Sequence, residues 1–223
     1  MKISNILKFL IIISLSSPAL SLDGVWSGIF DINGHGAYDF IGLISDENTT
    51  AYTKKAKVVY DGKIKTKDDN FTWDLIMYLK DGTNFGTAEI KGKIINNNIM
   101  SGKWTTEPAK DYGNIYLVKL KENEVLNTGK IINKKWYSID SKIKHNIFIN
   151  NYKILGKDEN NCNYYGSIKK LNNKIYNVNI EIASCGVSDG LYKGMAHIKK
   201  INGENNLTIN ATSKNFSIFL NLR

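Results

Sequence analysis

Apolar and polar residues alternate along most of this chain with a period of two residues. Tyr, Val and Ile occupy every second position of 176–182, with Asn or Glu between them. The segments 71–77 and 207–211 repeat this alternation. Because successive side chains of a β-strand point to opposite faces of a sheet, the pattern predicts strands with one buried face. The segment 50–59 alone has a pattern that favours a helix, and only weakly.

Turn-forming dipeptides separate these strand-like segments. They are Asn33-Gly34, Asp61-Gly62, Asp81-Gly82, Asp189-Gly190 and Asn202-Gly203. Asn-Gly and Asp-Gly pairs favour tight turns because Asn, Asp and Gly tolerate positive φ. Many short strands with turns at close spacing predict an all-β protein, with antiparallel meanders folded as small barrels or sandwiches.

The second half of the chain resembles the first half at a separation of 103 to 104 residues. Residues 60–65 (YDGKIK) correspond to 164–169 (YYGSIK), and 115–117 (IYL) correspond to 218–220 (IFL). The glycines that correspond at this separation are Gly82 with Gly186 and Gly86 with Gly190. A repeat this long predicts tandem modules rather than a solenoid of short units.

This repeat divides the chain into two β modules. Each half begins with a tryptophan in a strand-like segment, at Trp26 and Trp136. We place the first module at 22–121 and the second at 134–223, joined by the polar connector 122–133. Modules of this size can bury a core of their own, although a marginal one. The alternative is that the two halves form one continuous barrel.

The first 21 residues have the organisation of a secretory signal peptide. Lys2 and Lys8 accompany the short apolar run 9–15, and small residues over 16–21 end it. The run is shorter than the roughly 20 apolar residues of a transmembrane helix, and no later run is apolar enough for a membrane span. We therefore expect a cleaved signal peptide over 1–21 and a soluble product that is periplasmic or secreted.

The chain has two cysteines, Cys162 and Cys185, and both lie in the second module. Export to an oxidising compartment favours a disulfide. A hairpin with its tip at Asn172-Asn173 would place the two cysteines almost opposite each other. We predict this disulfide, which closes a loop of about 24 residues and contributes roughly 3 kcal/mol. The alternative, a redox-active pair, does not fit the spacing, which is unlike C-x-x-C.

Positive charge is concentrated in the second module. The whole chain has a net charge of +9. The first module has 13 Lys against 13 Asp and Glu, whereas the second has 14 Lys and Arg against 6 Asp and Glu. This asymmetry favours an anionic partner, for which the candidate binding residues are Lys169, Lys170, Lys199 and Lys200. The alternative is that the lysines, like the 28 asparagines, reflect AT-rich coding and only promote solubility.

Motifs for catalysis, a cofactor or a metal are not found in the sequence. His35, His145 and His197 are scattered, and neither HExxH nor a close Cys/His pair occurs. The segment 31–42 resembles the opening of an EF-hand loop, but Gly42 stands where that loop needs a bidentate Glu. We interpret it as a hairpin turn and predict neither a cofactor nor a metal site.

Three functions remain open, and we rank them by how well they fit an exported protein with a basic second module. The first is a non-enzymatic binding or scaffolding protein whose basic module contacts an anionic envelope component, such as polysaccharide or lipid head groups. Its neutral module would contact another protein or a small ligand. The second is a β-barrel carrier of a small hydrophobic ligand, because barrel mouths often form pockets. The third is a periplasmic hydrolase with Asp74, Glu89 or Glu181 in a cleft between the modules.

Overall fold

The computed structural model describes residues 21–121, 125–126, 132–139 and 143–223. The predicted signal peptide, apart from Ser21, therefore lies outside the described residues. The described chain is almost entirely β, as the alternating pattern predicts, and the predicted all-β fold class is confirmed. No helix of the described residues is both long and apolar enough to cross a membrane.

Barrel one is a closed antiparallel barrel formed by the first eight strands. These strands are β1 (Gly24–Ile32), β2 (His35–Ser45), β3 (Asn48–Tyr52), β4 (Val59–Lys67), β5 (Asn70–Tyr78), β6 (Asn84–Asn96), β7 (Ile99–Glu107) and β8 (Tyr112–Lys119). Consecutive strands pair in chain order. The barrel closes because β1 also pairs with β8, with Trp26 opposite Lys119 and Phe30 opposite Ile115.

Barrel two is formed by the rest of the described chain. Its strands are β9 (Val125–Leu126), β10 (Lys135–Tyr137), β11 (His145–Asn150), β12 (Lys153–Asp158), β13 (Asn163–Lys170), β14 (Tyr176–Ala183), β15 (Gly190–Ile201), β16 (Glu204–Thr212) and β17 (Ser217–Leu222). Strands β10 to β17 pair in chain order, and β9 pairs separately with β15. The two edges meet where Tyr137 and Arg223 exchange backbone hydrogen bonds, both of 2.9 Å. The prediction of two tandem antiparallel modules is thus confirmed.

The helical expectation for 50–59 is wrong. Its first residues complete β3, and a tight turn follows in which the Lys57 N–H donates to the Thr53 carbonyl at 2.9 Å. Strand alternation buries Ala51 in the core of barrel one while Tyr52 is buried on the outer face of that barrel. Burial on both sides therefore favours an extended backbone over the weak helical pattern.

Each barrel begins with the same arrangement of a buried tryptophan. The Trp26 indole N–H donates to the Leu22 carbonyl at 2.7 Å, and the Trp136 indole N–H donates to the Ile132 carbonyl at 2.9 Å. Both tryptophans are fully buried. Because a buried indole N–H needs an acceptor, the residue four positions earlier satisfies it in both barrels.

Corresponding glycines allow close contact between strands in both barrels. A Cβ atom on Gly62 would lie 1.8 Å from the Asp74 carbonyl oxygen, and one on Gly166 would lie 2.0 Å from the Asn179 carbonyl oxygen. Gly62 lies in β4 and Gly166 in β13, which are corresponding strands. The sequence match between the two segments therefore reflects the same close backbone contact. The turn predicted at Asp61-Gly62 is wrong, because both residues pair with β5 inside β4.

The disulfide Cys162–Cys185 is present, as predicted. It connects the open end of the hairpin formed by β13 and β14. Lys170 pairs with Tyr176, so the turn extends over 171–175 rather than over the two residues of the predicted tip.

The two barrels pack against each other through a shared apolar cluster. Its buried members are Val25, Ile41, Leu43 and Tyr52 from barrel one and Ile175 and Met195 from barrel two. Backbone hydrogen bonds add to this contact, because the Ser217 N–H donates to the Gly82 carbonyl at 2.8 Å. The outer face of barrel one is therefore partly an interface with barrel two.

Strand β16 is buried on both faces because it lies in this interface. Its inward residues, Leu207, Ile209 and Ala211, belong to the core of barrel two. Its outward residues, Asn206, Thr208, Asn210 and Thr212, are polar and also buried. The polar positions of this alternating segment thus face the other barrel instead of solvent.

Candidate functional site

A cavity of about 670 Å³ opens at one end of barrel one. Its wall comes from seven of the eight strands and from the turns that join β3 to β4 and β7 to β8. Apolar wall residues that are themselves buried include Phe40, Leu75, Met77, Ala88, Ile90 and Ile115. Their side chains point inward because they occupy the inward positions of alternating strands.

Aromatic rings form much of this cavity's wall. The rings of Phe30 and Trp104 meet edge to face with centroids 5.6 Å apart, and those of Phe40 and Tyr60 lie 5.4 Å apart. The Trp104 indole N–H donates to the Asp31 carbonyl at 3.0 Å. Because its partner is a backbone group, this hydrogen bond fixes the ring and leaves the apolar wall available to a ligand.

Polar side chains reach the cavity at its open end. Thr53, Lys55, Asp39 and Asp111 line it together with the apolar residues. Burial raises the pKa of the Tyr60 hydroxyl, and the Asp39 carboxylate raises it further. Tyr60 is therefore neutral at physiological pH. The cavity can hold an apolar body, with a polar end of the ligand directed to the mouth.

A second concave site, the inter-barrel cleft, lies between the two barrels and has a volume of about 610 Å³. Barrel one contributes Tyr52, Lys54 and Lys57, and barrel two contributes His197, Lys199 and Lys200 among others. The described residues that line it include no Asp or Glu. Its side chains can therefore attract and hydrogen-bond an anion.

A buried tyrosine and histidine form part of the wall of this cleft. The Tyr52 hydroxyl lies 3.0 Å from His197 Nε2, and the two rings stack with centroids 6.2 Å apart. Burial, with smaller contributions from the nearby Lys199 and Lys54, lowers the pKa of His197 to about 4. The imidazole is therefore neutral at pH 7. Its Nδ1 atom is buried and has no hydrogen-bond partner in the described part of the chain.

The structure brings together two of the four lysines that the sequence analysis names. Lys199 and Lys200 line the cleft. Lys169 and Lys170 are exposed on β13, which β14 separates from β15, and they do not line it. Lys54 of barrel one joins the cleft instead. Sequence reasoning missed this lysine because the first module has no net charge.

The three candidate carboxylates do not lie in one cleft. Asp74 and Glu89 are cross-strand neighbours on barrel one, and Glu89 pairs with Lys91 at 2.6 Å. Glu181 is exposed on β14 of barrel two. The hydrogen bonds and ion pairs found among the described residues connect none of the three to a histidine. The structure therefore does not place these carboxylates in the cleft between the modules that the hydrolase alternative requires.

Asp158 forms a buried polar cluster beside the disulfide. It accepts hydrogen bonds from the Tyr164 hydroxyl at 2.9 Å and from the Cys162 N–H at 3.0 Å. Burial lowers the pKa of the neighbouring His145, although the Asp158 carboxylate opposes that shift. The carboxylate also lies within 4.8 Å of both cysteine sulfurs. Because those sulfurs are bonded to each other, they supply no thiolate ligands for a metal.

Comparisons with known proteins assign neither a family nor a function to this chain. No protein-family model matches the chain, and no curated protein sequence matches it. Among solved structures, the chain aligns with a provisionally named outer membrane protein of Bacteroides fragilis at 12% identity and a TM-score of 0.31. That alignment covers 90% of this chain and 96% of the other. A similarity at that TM-score supports no inference about function.

Proposed function

We propose that this protein binds a small apolar or amphipathic molecule in the cavity of barrel one. The observation that carries the proposal is the cavity itself, with its volume of about 670 Å³ and its wall of buried apolar side chains. Small-molecule sites are usually concave, mostly apolar and of roughly 300–1,000 Å³. The cavity therefore supports the carrier function more strongly than charge supports the anion-binding function.

The wall defines the chemistry of the ligand. Phe40, Leu75 and Met77 offer contact to an aliphatic or aromatic body, which gains roughly 0.8 kcal/mol for each CH₂ group it buries. Thr53 and Lys55 at the mouth can hydrogen-bond a hydroxyl or carboxylate at the other end of the ligand. The preferred ligand is therefore apolar over most of its length.

The place of action proposed for this carrier is outside the cytoplasm. The signal peptide predicted over 1–21 supports export to the periplasm or the medium, where a disulfide such as Cys162–Cys185 is maintained. A non-enzymatic role fits a site made mainly of apolar side chains.

The first test is native mass spectrometry of the mature protein, purified gently from its own source. We expect a stoichiometric adduct of small-molecule mass. A second test titrates the purified protein with the neutral fluorophore N-phenyl-1-naphthylamine, which avoids attraction to the basic surface. Ala88→Phe should fill the cavity and weaken fluorophore binding at least about tenfold, a loss of about 1.4 kcal/mol.

The matched control is Ala183→Phe, which adds the same ring to a half-buried position of barrel two. It should leave fluorophore binding unchanged. If Ala88→Phe fails to fold, Phe85→Ala at the exposed rim of the cavity replaces it. Equal binding by the cavity and control variants would contradict the proposal, as would a wild-type protein that carries no adduct and takes up no fluorophore.

A further inference from the structure

We propose that the inter-barrel cleft binds the phosphate group of a phosphorylated ligand, held by lysines of both barrels. This site is separate from the apolar cavity of barrel one and goes beyond the carrier function. Segments of different barrels build it, because Lys54 lies in the turn two residues after β3 and Lys199 lies in β15. The site therefore exists only where the two barrels pack together.

The charge of the cleft is the first support. Lys54, Lys199 and Lys200 line it, and none of them has a carboxylate within ion-pair distance among the described residues. Ammonium groups that share one concave site repel each other. A dianionic group bound between them would relieve that repulsion, whereas isolated surface lysines have no such gain.

The framework beneath the lysines is the second support. The contact between Tyr52 and His197 joins the barrels at the cleft wall, and both residues are buried. Lys199 and Lys54 both lie near enough to His197 to lower its pKa, and all three residues line the cleft. The buried Nδ1 atom of His197 has no partner among the described residues, and a neutral imidazole can donate a hydrogen bond there.

The composition of the wall favours phosphate as part of a larger molecule. Lysine binds phosphate as a compact point charge with three donors, and several lysines can share one phosphate. A volume of about 610 Å³ exceeds the needs of inorganic phosphate. Phe219 and Ile139 offer apolar contact, and Asn206 can hydrogen-bond hydroxyl groups. The ligand is therefore an organic phosphate, either a free molecule or a phospholipid head group.

The test compares two double variants that remove the same charge. Lys54→Gln with Lys199→Gln changes the cleft, and Lys169→Gln with Lys170→Gln changes exposed lysines of β13 outside it. Isothermal titration calorimetry with pyrophosphate measures binding of a free phosphate compound. Co-sedimentation with phosphatidylcholine vesicles, with and without phosphatidic acid, measures binding of a phospholipid head group.

We expect saturable binding by the wild-type protein, with one site per chain. The cleft variant should bind at least about tenfold more weakly, while the control variant stays within about twofold of wild type. Binding of pyrophosphate identifies a free ligand, and binding of phosphatidic acid vesicles alone identifies a head group; both support the site. Equal loss in the two variants would show general charge attraction and overturn it, as would no saturable binding to either probe.

The fluorophore titration of the barrel-one cavity, repeated on the cleft variant, separates this proposal from the carrier function. We expect fluorophore binding to remain at the wild-type level, because Lys54 and Lys199 do not line that cavity. Loss of phosphate binding with intact fluorophore binding places the anion site in the cleft alone. Loss of both would overturn the assignment of two separate sites.

Discussion

The two barrels share a strand order and a buried tryptophan but differ in how they close and in what they enclose. In barrel one, β1 and β8 pair from Trp26 opposite Lys119 to Phe30 opposite Ile115. Barrel two begins with the three-residue strand β10, and its edges meet through a short seam in which Tyr137 and Arg223 exchange backbone hydrogen bonds and the Ile139 N–H donates to the Asn221 carbonyl. A disulfide stabilises barrel two, whereas barrel one keeps a cavity at its mouth.

This difference teaches that one repeated strand pattern can support two kinds of interior. Barrel two has a core rich in isoleucine, whose branched side chains fill the space between the strands. In barrel one, aromatic rings such as those of Phe30 and Trp104 surround the cavity. Long strand pairing can hold a barrel closed around a cavity, whereas barrel two has a shorter closure and carries a covalent bond elsewhere, in its β13–β14 hairpin.

Removal of either tryptophan should have the largest effect on the stability of its own barrel. Trp26→Ala and Trp136→Ala each delete a fully buried side chain, and we expect each to lower the free energy of unfolding by about 3–5 kcal/mol. Hydrogen exchange mass spectrometry should show faster exchange mainly in the barrel that carries the change. The controls Trp26→Phe and Trp136→Phe keep most of the volume and should cost less.

The outcome also measures how independent the barrels are. If Trp26→Ala accelerates exchange equally in both barrels, the shared cluster around Tyr52 and Met195 couples them into one cooperative unit. Protection that remains in barrel two would support two separately stable modules.

Loss of the disulfide should have the next largest effect, and only on barrel two. The bond connects residues 23 positions apart in sequence. Replacing Cys162 and Cys185 with alanine should therefore lower the free energy of unfolding of barrel two by about 3 kcal/mol. Urea unfolding measures this loss, and fluorophore binding by barrel one serves as the control. A variant that also loses fluorophore binding would refute the idea that the disulfide acts locally.

The sequence predicts those parts of the fold that depend on local pattern. Period-two alternation indicates the strands, and the hairpin from β1 to β2 has its turn at Asn33-Gly34 as predicted. The repeat of Trp26 at Trp136 and the positions of the two cysteines around one hairpin are also local signals. Each depends on residues that are neighbours in sequence or across one turn.

Other features depend on packing between distant segments, which the pattern does not encode. Alternation in 207–211 indicates one polar face, but only the docking of the barrels shows that Thr208 and Asn210 are buried. Lys54 and Lys199 line one cleft for the same reason, because the two barrels dock against each other. The size of the cavity in barrel one is set by how side chains fill the barrel, so no strand pattern could reveal it.

A smaller effect, on the pH dependence of stability, tests the contact between the barrels. In the folded protein the pKa of His197 is lowered to about 4 by burial, with Lys199 and Lys54 adding to the shift, whereas an unperturbed histidine has a pKa of about 6.5. Below pH 6.5 the unfolded chain takes up a proton that the folded chain does not, so stability falls as the pH decreases toward 4. The loss due to this histidine should be about 2 kcal/mol at pH 5 relative to pH 7.5.

Replacing His197 isolates its part of that pH dependence. His197→Asn should lose the additional destabilisation at pH 5 in urea unfolding, while His35→Asn, at an exposed position of β2, should follow the wild-type curve. His145, which is also shifted by burial, is present in all three proteins, so its contribution cancels in the comparison. An unchanged pH dependence in His197→Asn would mean that this imidazole is open to protonation in the folded protein. The two barrels would then be in looser contact at the cleft than the 3.0 Å approach of Tyr52 to His197 requires.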